Sequence, residues 1–255
     1  EDGSSLGALK FPTNTSYDFQ KYILGPFLAK YLKDSTPAEP VAPVNAYLTG
    51  ANRWERLQQW PSGCASGCTP TPTPLYLEAD ARVGFNAPTA NGNGTDSYVS
   101  DPAKPVPFRA RPSQPIGYDP PLTWVQWLVD DQRPASGRTD VLTYESTVLT
   151  SPLQISGEPI ANIVAATTGT DADWVAKLID VYPPEVGNDP PMGGYELPVS
   201  MDIFRGRYRT SYSDPQPITP NTPLSFKFPL PTVNHVFLPG HRIMVQIQSS
   251  WFPLY

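Results

Sequence analysis

The chain has 255 residues, 39% of them hydrophobic, with 13 Tyr, 10 Phe and 6 Trp, which is enough apolar material for one large domain or for one domain and part of a second. Its formal charge of −6, with no run of like charge longer than two residues, disfavours a nucleic-acid partner, and no apolar stretch approaches the roughly 20 residues that cross a bilayer. The 33 prolines exclude long helices and central strands wherever they cluster, and their dispersal among aromatic segments separates the chain from a disordered Pro-rich linker.

Residues Glu1 to Lys10 are polar and Gly-rich and read as loop. From Ser16 to Lys33, Phe19, Tyr22, Ile23, Phe27, Tyr31 and Leu32 recur at helical spacing, with Thr15 or Ser16 placed to cap the start and Gly25-Pro26 expected to kink the helix. Lys30 and Lys33 suit its C-terminal end. A linker with three prolines, Asp34 to Pro43, leads to a strand at Val44 to Leu48 and a short segment, Trp54 to Trp60, with Trp54, Leu57 and Trp60 on one side. Leu75 to Leu77 reads as a brief strand. A Pro-rich excursion then runs to about Pro121, ahead of Trp124 to Leu128.

Thr139 to Tyr182 reads as three successive strands, and its last part carries the strongest signal. In Asp173 to Tyr182, Trp174, Ala176, Leu178 and Tyr182 fall on one alternating set and Val175, Ile179 and Val181 on the other, so this strand is expected to be central and covered on both faces. Ile160 to Ala166 has the same character, and the two are expected to form a meander or sandwich core. After a loop from Pro183 to Pro198 come Met201 to Tyr208, Leu224 to Pro229 and His241 to Trp251. In the last of these, Ile243, Val245 and Ile247 are expected to face the core while Met244, Gln246 and Gln248 face water. Many short strands with turns about every ten residues predict a β-sandwich or jelly roll.

Candidate chemistry is sparse. No Gly-x-Ser-x-Gly elbow occurs; the nearest, Gly63-Cys64-Ala65-Ser66-Gly67, has its serine one place late and no strand before it. His235 and His241 read as hydrogen-bonded structural residues, since no partner is arranged beside them in sequence. Asp171 and Asp173 could be a calcium pair or a turn cap, and lack the further ligands of an EF loop; Asp130-Asp131 reads as a solvated pair. Trp124, Trp127, Trp174 and Trp251 could line a sugar or peptide cleft, although large aromatics more often fill cores. Cys64 and Cys68 form a local disulfide across a Gly/Ser-rich turn, which would place the chain in the periplasm or outside, or are two free thiols; two distant histidines do not complete a zinc tetrad. Neither a dinucleotide fingerprint nor a Walker sequence is present, so no cofactor and no metal is expected.

Six segments in order carry a resemblance: Asp96 to Pro102, Asp131 to Arg133, Arg138 to Tyr144, Thr170 to Pro183, Phe204 to Arg209 and Asn234 to Ile243. Together they resemble the C-terminal half of hydrolases of the cocaine-esterase and X-Pro dipeptidyl-peptidase family. Met192 to Ile203 and Gln246 to Pro253 look most like the α-amino-acid ester hydrolases, related to glutaryl-cephalosporin acylases. The resemblance implies a mainly β jelly-roll domain, residues 41–255, cut short at its C-terminus and preceded at 1–35 by the last helix of an α/β-hydrolase domain. It also implies that the parent protein is an exported serine hydrolase acting on α-amino-acid esters and β-lactam amides, and it favours the Cys64–Cys68 disulfide. The expected partners are the hydrolase and cap domains of the same parent chain and a small ester or amide substrate, and a homo-oligomer is compatible with this. The family's nucleophilic serine, its aspartate, its histidine and the substrate-binding carboxylates have no counterpart here, so no catalytic residue is carried over. Two alternatives stand beside this: a free-standing jelly-roll module that binds carbohydrate or peptide, and a fragment of an X-Pro dipeptidyl-peptidase.

Overall fold

The structure, a computed structural model, describes residues 3–33, 40–62, 71–89, 94–109, 112 and 125–255. Cys64, Cys68, Ser66 and Trp124 lie outside the described residues, as does the later part of the expected Pro-rich excursion. The chain opens with a small hairpin of β1 (Ser5–Leu6) and β2 (Leu9–Lys10) where loop was expected. Gly7 makes its turn in the left-handed region at φ +55, which glycine adopts without a Cβ penalty. Leu6, Ala8 and Leu9 pack against buried Val129, Met192, Tyr195 and Leu197.

Helix α1 follows as three continuous pieces: an α-helical turn Thr15–Phe19, a π-helical turn Gln20–Leu24 and an α-helical run Gly25–Leu32. Asn14, rather than Thr15 or Ser16, is the N-cap; its side chain accepts from the Tyr17 amide at 2.9 Å. The irregularity expected at Gly25-Pro26 takes the form of the π turn just before it. Pro26 has no N–H to give the ladder, and the Gly25 amide reaches back to Gln20 O.

Two short ladders precede the main sheet: β3 (Val44–Leu48) with β4 (Arg53–Leu57), and β5 (Tyr76–Glu78) with β6 (Arg82–Gly84). The short segment expected from Trp54 to Trp60 is in its first part a strand, which holds Trp54 and Leu57. A single-turn helix α2 (Arg133–Ser136) leads into β7 (Leu142–Glu145), β8 (Leu153–Gly157), β9 (Ile160–Ala165) and β10 (Asp173–Val181), four strands where three were expected. The last four are β11 (Glu196–Arg205), β12 (Leu224–Pro229), β13 (Val233–Phe237) and β14 (Arg242–Gln248).

The main layer is a six-stranded sheet in the order β11, β10, β14, β7, β6, β5. β10 pairs antiparallel with β11 on one side and β14 on the other, so strands far apart in sequence become neighbours. The second layer contains the pairs β12 with β9 and β13 with β8. Trp174 and Ala176 of β10 and Phe204 of β11 pack there on Phe226 and Phe228, with Ile218 and Leu230 closing the cluster. The opposite face of β10 is also covered, with Val175 set among Met201, Trp251, Trp127 and Phe108. This is a jelly-roll β-sandwich, and β10 is the doubly covered strand that its sequence predicts.

Pro198 sits inside β11, where a register shift opposite Leu178 and Ile179 marks a bulge. β11 is an edge strand, and an edge and a bulge are the two places where a strand tolerates the missing amide. Two expectations about burial fail. β9 is not doubly covered: it pairs with β12 rather than β10, and Ile160 and Val164 are exposed on its outer face. β14 is not half-wet: it is flanked by β10 and β7, and Gln246 and Gln248 are fully buried along with Ile243, Met244 and Ile247.

Candidate functional site

β10 carries two charged residues at fully interior positions, Asp180 at 0% exposure and Lys177 at 1%. An ionised group in such a place demands partners, because desolvation costs far more than a neutral polar group would incur. Each charge anchors a polar cluster.

Asp180 accepts from both histidines: His241 Nδ1 lies 2.8 Å from Oδ1 and His235 Nε2 3.2 Å from Oδ2. With Nε2 donating, a neutral His235 presents Nδ1 to the Thr49 hydroxyl at 2.8 Å. Thr49 sits at the turn that ends β3, and its amide donates to Asn234 O while its carbonyl accepts from Val236. Gly50 makes this close approach possible: its φ is +82, and a Cβ there would lie 2.1 Å from Val236 O. One carboxylate thus ties together β10, β13, the start of β14 and the β3–β4 turn.

The order hydroxyl, imidazole, carboxylate resembles a hydrolase triad in sequence of groups, with a threonine in place of the serine. Asp180 and His235 are buried in the core, and the half-buried Thr49 hydroxyl also lies 3.1 Å from Asn234 O. Among the described residues no serine is brought to either histidine. Both histidines are buried and hydrogen-bonded to Asp180, and the carboxylate they share is not visible in their sequence context.

Lys177 points to the other face. Its Nζ donates to Gln132 Oε1 at 2.8 Å and lies 5.7 Å from the Trp251 ring centre. Burial lowers its pKa to about 7, against a smaller opposing pull from Glu196. Glu196, also buried, accepts from Ser136 Oγ at 3.0 Å and Gln246 Nε2 at 3.4 Å; burial raises its pKa to about 7. Gln132 also lines a cleft of about 520 Å³ with Phe108, Arg109, Gln126, Asp130, Asp131 and Tyr195. Asp130 and Asp131 are consequently not a solvated pair: Asp130 accepts from Arg109 Nε and Asp131 from Arg133 Nε, each at 2.6 Å. The Tyr195 hydroxyl donates to Val129 O at 2.6 Å, and burial pushes its pKa up to about 12.

Asp171 accepts from the Ala172 amide at 3.0 Å, a local contact of the kind a turn cap makes, and both carboxylates also form ion pairs. Asp171 pairs with Arg207 and Asp173 with Arg205, and no group of carboxylates, histidines and cysteines able to hold a metal occurs among the described residues. Trp174 and Trp251 are core residues and Trp127 stacks edge-on against Trp251, so these tryptophans do not form an open sugar-binding face. Among the described residues no helix is long and apolar enough to cross a membrane.

The most conspicuous surface is α1. None of its residues is buried, and Tyr17, Phe19, Tyr22, Leu24, Phe27, Leu28, Tyr31 and Leu32 are all exposed, the last at 75%. Its observed aromatic contact with the sandwich is Phe19 on Trp54, ring centres 6.2 Å apart.

The structure is thus a jelly roll with two buried polar clusters on its central strand and a large exposed apolar surface on the helix α1. The profile of the X-Pro dipeptidyl-peptidase C-terminal non-catalytic domain matches residues 38–255, and the chain belongs to that family. Cocaine esterase of Rhodococcus sp. (strain MB1 Bresler) is 31% identical over 244 residues, which cover 90% of this chain and 38% of the esterase. Among solved structures, an α-amino acid ester hydrolase superposes over the whole chain with a TM-score of 0.92 and 54% identity, the match covering 41% of that protein. An aminopeptidase from a marine sediment Thaumarchaeota archaeon does so with a TM-score of 0.91 and 48% identity, covering 40%. The chain thus spans about two fifths of the length of these relatives.

Proposed function

We propose that these residues are the C-terminal, non-catalytic part of a periplasmic or secreted serine hydrolase that acts on α-amino-acid esters and β-lactam amides through an acyl-enzyme. The observation that carries this reading is the 54% identity, over the full chain, to an α-amino acid ester hydrolase. In the parent protein a serine would attack the acyl carbon, a histidine would take its proton, and backbone amides with a tyrosine would hold the oxyanion. Those groups would lie on domains outside residues 1–255. The jelly roll braces them, and residues 1–35 form the end of the hydrolase domain, with the apolar face of α1 turned toward it.

The test is turnover of a phenylglycine methyl ester and of a β-lactam amide with a phenylglycine side chain. The expected outcome is hydrolysis of both by the parent protein and of neither by the 255-residue chain. Turnover by the chain alone, at a rate that survives repurification, overturns the assignment. The likeness to an aminopeptidase favours a second reading, an exopeptidase of the same architecture. A parent that cleaves dipeptide amides and leaves the ester intact supports that one instead.

A further inference from the structure

The Lys177–Glu196 cluster has no part in the proposed acyl chemistry, yet the fold holds both groups out of water and hangs a cleft wall on them. The segment Asp130–Ser136 is attached to the sheet at both ends of that cluster. Gln132 accepts from Lys177 Nζ at 2.8 Å, and its backbone amide donates to Glu196 O at 3.1 Å. Its side-chain Nε2 donates to Asp130 O at 2.6 Å. Ser136 closes the segment by donating to Glu196 Oε1, while the amides of Ala135 and Ser136 donate to Gln132 O. Gln246, opposite Lys177 in the β10–β14 ladder, reaches Glu196 with its nitrogen.

We propose that Lys177, Gln132 and Glu196 form a pH-sensitive latch on the cleft wall, which holds Asp130–Ser136 most loosely near neutral pH and more tightly once the cluster has either gained or lost a proton. With both groups charged, the protein buries an ammonium whose one direct hydrogen-bond acceptor among the described residues is a neutral amide, together with a carboxylate held by a hydroxyl and an amide. Protonating the carboxylate or deprotonating the amine relieves half of that desolvation cost. The other charges around the pair are Asp130, Asp131, Arg109 and Arg133 on the wall, Glu145 on β7 and Arg242 on β14, and these are matched among themselves as Arg109–Asp130, Arg133–Asp131 and Arg242–Glu145.

The signs follow from linkage. Glu196 is raised from the usual 4.5 to about 7, so its contribution to stability is full below 4.5 and is lost as pH rises through 7. Lys177 is lowered from 10.5 to about 7, so its contribution is full above 10.5 and is lost as pH falls through 7. The two arms meet in a minimum near neutrality.

The experiment follows the unfolding equilibrium of the full chain in urea from pH 5 to 9, together with amide protection factors at Gln132, Ala135 and Ser136. The wild type is expected to unfold more readily by up to about tenfold per pH unit from 5 to 6.5 and less readily by a similar factor from 7.5 to 9. Lys177→Met removes the alkaline arm and Glu196→Gln the acid arm, and protection of the three amides is lowest near pH 7. An alkaline arm that survives Lys177→Met, an acid arm that survives Glu196→Gln, or protection that does not vary with pH overturns the latch. Should Lys177→Met fail to fold, the Lys177 Cε chemical shift in the wild type decides: a midpoint near 7 upholds the proposal and one above about 9 overturns it.

Discussion

Strand β10 and helix α1 are both lined with large apolar side chains, yet the protein treats them in opposite ways. β10 is covered on both faces so completely that an aspartate and a lysine are carried into the core with it. α1 leaves eight large apolar side chains exposed and none buried. Periodicity in a sequence reports which face seeks cover; it does not report whether the cover lies in the same chain. On β10 the covering is internal and has to be made good with polar clusters. On α1 no such cover is present among the described residues, and a face of this kind marks a candidate interaction surface.

The largest expected effect is at Asp180. Asp180→Ala strips the acceptor from two buried imidazoles, and removing one partner of a buried, hydrogen-bonded charge cluster costs about 3–5 kcal/mol. Urea unfolding of the chain should show that loss, whereas a change below about 1 kcal/mol would mean that the clamp does not hold the layers together. Gly50→Ala attacks the same clamp from the backbone. Its φ of +82 alone implies about 1–3 kcal/mol of strain, and the displaced Val236 carbonyl would pull Thr49 away from His235. Smaller still is Asn14→Ala, which removes the helix cap and costs about 1 kcal/mol if α1 unfolds together with the sandwich. If α1 frays independently, thermal melts of the sandwich will not move and only helical circular dichroism will fall.

The comparison also shows what the sequence could and could not disclose. The alternation in Asp173 to Tyr182 identifies the central strand, and Lys177 and Asp180 occupy positions in a strand covered on both faces, so their burial follows from their neighbours. The partners of Asp180 did not follow. His235 and His241 are 55 and 61 residues away, and only the non-sequential pairing of β10 with β14 and the bridge from Thr49 to β13 bring them together. Gln246 and Gln248 misled for the same reason. Glutamines on alternate positions mark a wet face when a strand lies at the edge of a layer, but β14 is held between two others, and its polar face meets Lys177 and Glu196 instead of water. Cap and turn chemistry was nearer at hand, and Asn14 was missed by one residue because Thr15 and Ser16 are equally good caps by type.

The smallest effect on this chain is the one that sharpens the contrast most. Phe27→Ser, Tyr31→Ser and Leu32→Ser each replace a side chain that is already exposed, so each should shift the stability of the 255-residue protein by no more than about 0.5 kcal/mol. The same substitutions should reduce binding of a hydrophobic dye to the chain, because they thin the one continuous apolar surface of α1. In the parent protein the balance reverses if another domain covers that face. Each substitution then removes buried area worth about 1.5–3 kcal/mol and lowers the melting temperature, with no change in the melting of the sandwich alone. Equal, small effects in both contexts would mean that α1 stays bare in the whole protein. The likeness between helix and strand would then end at composition, with one apolar surface covered inside the sandwich and the other left in water.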